Sequence, residues 1–238
     1  MRFSNKNIFI TGASRGIGAA IASKFRDEGA FVIGTKTSNE SEIETDCDEW
    51  VIADFSDEKQ ILMCANYLRS QNIDILINNA GVNSNASFSE IDLEIFKKIQ
   101  QVNLMAPFLL SQAVIKRMSN NSWGRIVNIS SIWGKISKEG RAAYSASKFA
   151  LDGLTVGLAA EYSDQGVIAN CIAPGFIDTD LTRSMLSIKQ IKGLTKQVPA
   201  GRLGNVDEIA DLVLWLSSSE NTFVTGQNIA IDGGFTRV

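Results

Sequence analysis

Histidine is absent from the 238 residues of this chain. With it go the Ser-His-Asp hydrolytic triad, most zinc catalysis and any imidazole base. Proton transfer must therefore fall to tyrosine, lysine, a carboxylate or a chain of waters, and no metal centre is expected. Cysteine is also scarce: Cys47, Cys64 and Cys171 are odd in number and far apart, which fits reduced thiols in a cytoplasmic protein. Proline occurs only at Pro107, Pro174 and Pro199, and no Gly/Ser or charge run interrupts the apolar periodicity, so no linker divides the chain. No apolar run approaches the ~20 residues that span a bilayer, so no membrane partner is expected. The opening MRFSNKNIFITG lacks the long apolar core of a signal peptide. Lys and Arg number 23 against 26 Asp and Glu, and a net charge of −3 gives no electrostatic reason to expect nucleic acid or an anionic membrane as partner.

The length suits one α/β domain with a single sizeable core. NIFIT (7–11) reads as a buried first strand, followed by a helix from about Ile17 to Glu28 that Gly29 ends. FVIGT (31–35) and WVIA (50–53) follow as strands, then a helix from Asp57 to about Ser70 and the strand IDILIN (73–78). A long helix is expected from Asp92, as N-cap, to about Met118. RIVNIS (125–130), a helix from Tyr144 to about Ser163, VIANCIA (167–173), a helix from Val206 to Leu216 and NIAI (228–231) complete the series. This alternation predicts a single-domain doubly wound (Rossmann) fold over 1–238, with a parallel sheet of about seven strands and helices on both faces.

The first strand runs directly into the glycine loop Gly12, Gly16, Gly18 and then into a helix. Glycines there let the backbone turn tightly and let a pyrophosphate approach the positive end of the helix. Folds that prefer NAD place an acid at the end of the second strand to hold the ribose 2′-OH. Here that region reads GTKTS, with Lys36 at or next to the acidic position and Arg15 in the nearby loop. Two cations, with hydroxyls from Thr35 and Thr37, suit a 2′-phosphate and predict NADP(H) as cofactor.

Tyr144 and Lys148 lie four apart in a helical stretch, so phenol and ammonium can share one face. A free tyrosine titrates near ~10 and shuttles protons poorly at neutral pH. A fixed cation beside it is expected to lower that value. Ser131, thirteen residues before the tyrosine, could hold a carbonyl oxygen against the phenol. This is apparatus for reducing a ketone or oxidising an alcohol with a hydride carrier. In the helix before it, Pro107 follows Asn103 by four residues and has no N–H for the Asn103 carbonyl, which predicts a water site or a kink there.

TGASRGIG (11–18), NNAG (78–81), NISS (128–131), YSASK (144–148) and APGFIDTD (173–180) occur in the order and spacing of the short-chain dehydrogenase/reductase family, which the chain resembles from its first strand onward. Within that family, QVPAGRLG (197–204) is similar to the 3-oxoacyl-(acyl-carrier-protein) reductases. The resemblance implies NADPH-dependent reduction of a 3-oxoacyl thioester, in fatty acid biosynthesis, by a homotetramer built on the two long helices and the last strand. It makes Tyr144 the general acid, Ser131 the group that orients the carbonyl, and Lys148 the ligand of the nicotinamide ribose. Asn103 would anchor a water feeding protons through Lys148. It places the nucleotide against the loop residues Gly12, Ser14, Arg15, Gly16, Ile17 and Gly18. Asp54 would meet the adenine amine, Asn79 and Gly81 would flank the adenine ribose, Ile177 with Thr179 would meet the nicotinamide amide, and Phe55, Ala80, Pro174 and Gly175 would also line the cofactor site.

Acyl carrier protein is the partner such an enzyme would take, yet two positions where its docking cations are expected, beside the site mouth, hold Ser122 and Gln165. The loop SIWGKISKEGR (131–141) offers instead Lys135, Lys138, Arg141 and the flat face of Trp133, which keeps open a polar or anionic, sugar-like ketone or alcohol. Leu181, Met185, Ile188 and Ile191 recur at helical spacing, and a substrate lid is expected at about 178–200.

Overall fold

The computed structural model describes residues 1–40, 43–45, 47–179, 182–183 and 187–237. Seven strands, β1 (Asn7–Ile10), β2 (Phe31–Lys36), β3 (Glu49–Ile52), β4 (Ile75–Asn78), β5 (Gly124–Ile129), β6 (Val167–Pro174) and β7 (Asn228–Ile231), form one sheet in the order β3-β2-β1-β4-β5-β6-β7. Every pairing in it is parallel. The helices are α1 (Gly16–Asp27), α2 (Glu58–Ser70), α3 (Leu93–Gln100), α4 (Ala106–Asn120), α5 (Ala142–Tyr162), α6 (Ile188–Thr195) and α7 (Val206–Ser217). The doubly wound fold expected from the alternation is the fold observed.

Strand periodicity decides which residues meet which helices. In β1, Phe9 faces one layer while Ile8 and Ile10 face the other, and in β4 Leu76 parts in the same way from Ile75 and Ile77. The first layer packs Phe9, Leu76 and Ile126 under α2 and α4 through Ile61, Leu68, Leu110 and Met118. The second packs Ile8, Ile10, Ile75, Ile77 and Val127 under α1 and α7 through Ile21, Phe25, Ile209 and Leu214. Because the order reverses between β1 and β4, the loops leaving those two strands part to opposite faces. That opens the crevice at the carboxyl edge where a ligand can enter.

The long helix expected from Asp92 to Met118 is two helices joined by a π turn over Gln101–Met105. Asp92 does cap its start, accepting the Ile95 N–H at 3.0 Å. Pro107 cannot bond the Asn103 carbonyl, and the ladder slips by one residue so that the Ala106 N–H reaches the Gln101 carbonyl. As the second residue of α4 the proline then costs its helix little. The slip bulges the backbone outward at the residue that serves the site.

A buried polar chain ties the layers together. Asn78 Nδ2 donates to Asn128 Oδ1 at 2.8 Å, Asn128 Nδ2 donates to Thr155 Oγ1 at 2.8 Å, and that hydroxyl donates to the Leu151 carbonyl at 2.8 Å. It links β4, β5 and α5 by direct hydrogen bonds, where each unmade bond would cost about 1–3 kcal/mol. Among the described residues no helix is long and apolar enough to cross a membrane.

Candidate active site

Two adjacent ends of the sheet supply the chemistry. Ser131 follows the end of β5 by two residues; its hydroxyl accepts the Trp133 N–H at 3.2 Å and caps a short 3-10 turn over Ile132–Gly134. That turn lies so close to α5 that a Cβ on Gly134 would stand 3.0 Å from the Lys148 Cβ and 2.6 Å from Ser130 Oγ. The first turns of α5 then bring Tyr144, Ser147 and Lys148 to the same place, as the four-residue spacing requires. The Ser131 hydroxyl hydrogen-bonds the Tyr144 phenol and favours its phenolate form.

Lys148 is nearly fully buried, at 3 %, and its Nζ donates to the Ile129 carbonyl at 2.8 Å. Burial alone pulls its pKa down from 10.5 to about 8. The same ammonium stands 5.6 Å from the centre of the Tyr144 ring. Burial pushes the Tyr144 phenol above its ordinary value, and the opposing influences are the Ser131 hydrogen bond and the charge of Arg141. In this structure the Lys148 Nζ is turned to a backbone carbonyl beside the ring, and the charge of Arg141 also acts on the phenol.

Asn103 is fully buried at the π turn. Its Oδ1 accepts the Val82 N–H at 2.9 Å, while Nδ2 donates to the Val82 carbonyl at 2.9 Å and to Ser147 Oγ at 3.1 Å. Ser147 Oγ in turn donates to the Tyr144 carbonyl at 2.7 Å. Gly81 lies close to the catalytic groups: a Cβ there would lie 3.5 Å from Asn103 Oδ1 and 3.6 Å from Lys148 Nζ.

At the nucleotide end, Thr11 does work that motif reading missed. Its buried Oγ1 accepts the N–H groups of Asn79 and Ala80, both at 2.9 Å. Asn79 Nδ2 reaches back to the carbonyls of Thr11 at 3.0 Å and Gly12 at 2.9 Å. The β1 and β4 loops are thus fastened to each other, and a Cβ on Gly18 would fall 2.1 Å from the Gly12 carbonyl oxygen. Thr35 is buried and its hydroxyl accepts the Gly12 N–H at 2.9 Å, so it shapes the glycine loop from beneath. Arg15, Lys36 and Thr37 are on or near the surface, with Lys36 Nζ 5.6 Å from the Trp50 ring. Asp54 and the buried Phe55 close the far side: Asp54 Oδ1 accepts the Ser56 N–H at 2.9 Å and the Phe55 carbonyl accepts from Gln101.

One donor at the α1 N-terminus is engaged. The Gly16 N–H donates to Glu44 Oε2 at 2.7 Å, and the Glu44 N–H donates to the Ser14 carbonyl at 2.8 Å. Beside it, the loop after β6 comes across the crevice: a Cβ on Gly16 would be 3.9 Å from Thr179 Cγ2. An open cavity of about 380 Å³ between them is lined by Gly16, Glu44, Asp178, Thr179, Arg183 and Asp207. Ile177 is buried, Thr182 Oγ1 donates to its carbonyl at 2.8 Å, and Gly175, on the heels of Pro174, approaches Asp232 so closely that a Cβ would lie 2.7 Å from its Cα.

Around the substrate side, Trp133 is 6 % exposed and packs edge-on against Phe176 and Phe235, with ring centres 6.4 and 6.3 Å away. Lys138 and Arg141 lie over it at 5.1 and 5.7 Å, whereas Lys135 Nζ donates to the Asn228 carbonyl at 2.6 Å. Ser122 and Gln165 are not beside the mouth. They precede β5 and β6, at the amino edge of the sheet, where Gln165 meets Ser119. Of the lid residues, Leu181 and Met185 lie outside the described residues; Ile188 is 75 % exposed and Ile191 lies in α6, which buries none of its residues.

Comparison with known proteins agrees with this geometry. Residues 12–236 match the family model described as Enoyl-(Acyl carrier protein) reductase. The chain is 39 % identical over 245 residues to the 3-oxoacyl-(acyl-carrier-protein) reductase of Escherichia coli (strain K12), covering all of both chains. A putative NAD(P)-dependent gluconate 5-dehydrogenase from Beutenbergia cavernae, solved with bound NADP, superposes with a TM-score of 0.91 at 30 % identity, covering 99 % of this chain and 98 % of that one. A blue fluorescent protein from a metagenomic library, solved with NADPH, superposes with a TM-score of 0.89 at 31 % identity and 99 % coverage of each chain.

Glu44 puts a negative charge where a phosphate would sit, so removing it should tighten nucleotide binding. Glu44→Gln is expected to lower the Kd for NADPH severalfold at low ionic strength, with a smaller gain at 0.5 M salt. A Kd that is unchanged or higher in calorimetry would show that the carboxylate does not compete for the site.

Proposed function

The chain belongs to the short-chain dehydrogenase/reductase family, and from that premise we propose that it is an NADPH-dependent reductase that converts the ketone of a 3-oxoacyl thioester to a secondary alcohol. The observation that carries this reading is the Tyr144 phenol, kept protonated by burial and hydrogen-bonded by Ser131, at the carboxyl edge of the sheet. Bound NADPH supplies the hydride. Ser131 and Tyr144 would hold the carbonyl oxygen between two hydroxyls, so that charge arriving there meets donors already in place. Tyr144 gives up its proton to that oxygen, and the phenolate left behind is stabilised by Ser131 and by Arg141. Lys148, its pKa lowered by burial to about 8, would hold the ribose hydroxyls and could return a proton to the phenol. Asn103 would seat the water that resupplies it, its carboxamide being fixed by Val82 and Ser147.

The residues of the nucleotide end fit a dinucleotide with an additional phosphate. The glycines of the loop leave its backbone N–H groups uncovered by side chains of their own, with Glu44 the competitor at Gly16; β2 ends on Lys36 rather than an acid, and Arg15 is exposed beside it. The two structural relatives solved with NADP and NADPH support the same choice. The Escherichia coli relative supports a thioester substrate on acyl carrier protein, within fatty acid biosynthesis. Ser122 and Gln165, being at the other edge of the sheet, give no ground against it within one subunit. A polar, anionic ketone is the second reading, favoured by Arg141 and Lys138 over Trp133 and by the name of the Beutenbergia cavernae relative. The segment 178–200 would close over either substrate, and three cysteines far apart in the chain suit reduced thiols in the cytoplasm.

A homotetramer is the assembly we propose. Phe108 of α4 and Phe149 and Val156 of α5 are 40, 46 and 50 % exposed, an apolar face with nothing on it in one chain. Gly153 and Gly157, on α5, have open space where a Cβ would be, so a second copy's helix could approach closely. β7 leaves an edge strand, and both polar side-chain atoms of Asn228 on it lack partners among the described residues. Light scattering should give four subunits, and Phe149→Asp should break the particle down; a monomeric wild type refutes the assembly.

NADPH oxidation with acetoacetyl-acyl carrier protein, beside acetoacetyl-CoA and an NADH control, tests the activity. Tyr144→Phe should lower kcat by about 10²- to 10⁴-fold while NADPH binding stays within a few fold. Undiminished turnover in the variant would remove Tyr144 from the chemistry. The pH profile has its own signature. Lys148 in the free protein is protonated below about 8 and neutral above it. Hence kcat/KM for NADPH, which reports the free enzyme, should fall as pH rises through about 8; a flat profile to pH 10 would contradict that ionisation.

A further inference from the structure

Arg141 stands out from the other cations of this molecule. It is three residues, nearly one helical turn, before Tyr144, so its guanidinium lies at the mouth of the site and its charge acts on the phenol. Its Cζ lies 5.7 Å from the centre of the Trp133 ring, and Lys138 Nζ lies 5.1 Å from the same ring. Trp133 cannot move away, since Phe176 and Phe235 pack edge-on against it and against each other at 5.0 Å. The platform therefore fixes two positive charges over an aromatic face.

Among the described residues no carboxylate makes an ion pair with Arg141 or Lys138. The acids nearby are otherwise committed or point elsewhere. Asp232, which leads to Phe235, turns its carboxylate to Gly234 and Thr236 at 2.7–2.9 Å. Asp92 caps α3, and with Glu90 it lines a separate cavity of about 120 Å³ behind Gly140 and Ala143. Glu139, in the same loop, is exposed to solvent. Burial also depresses the Arg141 pKa, as expected for a guanidinium held partly out of water with no counter-charge. Arg141 is moreover the N-cap of the 21-residue α5 and offers no side-chain cap, so the first N–H groups of that helix face the same region.

We infer that Arg141, seated on Trp133 beside Lys138, determines substrate specificity by binding a carboxylate that the substrate carries within a few carbons of its reacting carbonyl. The planar fork of a guanidinium matches the two oxygens of a carboxylate, and the aromatic platform holds the fork in orientation. Lys138, more exposed, adds charge without geometry. A neutral 3-oxoacyl chain would leave the guanidinium partly desolvated and unpaired, whereas an oxo acid, or an acyl chain ending in a carboxylate, pairs it. The inference rests on the ketone-reduction reading for its chemistry and narrows the substrate class within it.

The test uses matched ketones that differ only in charge: 4-oxopentanoate and 5-oxohexanoate against their methyl esters, with NADPH and the full-length protein. The acids are expected to exceed the esters in kcat/KM by at least about tenfold, and Arg141→Gln to bring that ratio close to one. Arg141→Lys should restore part of the preference, and Lys138→Gln should reduce it less than Arg141→Gln. A general structural defect would lower both substrates together and leave the ratio intact, so a ratio that survives Arg141→Gln overturns the inference, as does a wild type that favours the esters. Calorimetry of each acid with the protein saturated in NADP⁺ gives a readout free of turnover. Acid binding that Arg141→Gln weakens about tenfold, without turnover of any ketone, would uphold the carboxylate site and defeat the reductase reading. Brisk reduction of acids and esters alike would do the reverse.

Discussion

A lysine ammonium held almost wholly out of water by one backbone carbonyl is the contact around which this site is organised. Lys148 can lie there only if α5 is pressed against the end of β5, because its Nζ must reach the Ile129 carbonyl. Gly134 permits that approach by having no side chain between the 3-10 turn and the helix. The chain of amides and hydroxyls from Asn78 through Asn128 to Thr155 holds α5 at the same depth from the other side. Burial then sets both ionisations, moving the amine down toward neutrality and the phenol up. The two groups are thereby poised in opposite senses by one physical cause, desolvation, with local hydrogen bonds correcting it.

Positioning of the reactive groups is shared by elements that carry no reactive group themselves. Pro107 makes the ladder slip at the π turn, and the outward bulge brings Asn103 to Val82 on one side and Ser147 on the other. Thr11 fastens the loops after β1 and β4, and Thr35 supports the glycine turn between them. The nucleotide end and the catalytic end are thus parts of one hydrogen-bonded edge. At the nucleotide end the same logic allows a competitor: Glu44 takes up an N–H at the helix terminus that an incoming phosphate would otherwise use.

The cations illustrate how chemistry is redistributed once a chain folds. Lys135, Lys138 and Arg141 are equivalent on paper, spaced three apart in one loop. In the fold Lys135 turns to the Asn228 carbonyl, while Lys138 and Arg141 settle on Trp133 with Arg141 beside the phenol. Ser122 and Gln165 make the same point for distance: preceding their strands, they go to the opposite edge of the sheet from Ser131, which follows one.

The sequence by itself determined the alternation of strands and helices, the glycine turn at the first strand, the shared face of Tyr144 and Lys148, and the lack of any acid at the end of the second strand. Those are local properties: period, spacing and backbone freedom depend on neighbours within a turn or two. The Asn103 irregularity was legible for the same reason, since a proline four residues on removes a specific donor. Tertiary structure alone decided how the two cations flanking Tyr144 are placed, because Lys148 and Arg141 both lie within about a turn of it and only packing directs one to Ile129 and the other to Trp133. It alone joined Thr11 to Asn79, Asn128 to Thr155 and Glu44 to Gly16, pairs 27 to 68 residues apart. Hydrogen bonds between residues so distant in the chain follow from how strands stack and helices cross, and no periodicity in the sequence encodes them one by one.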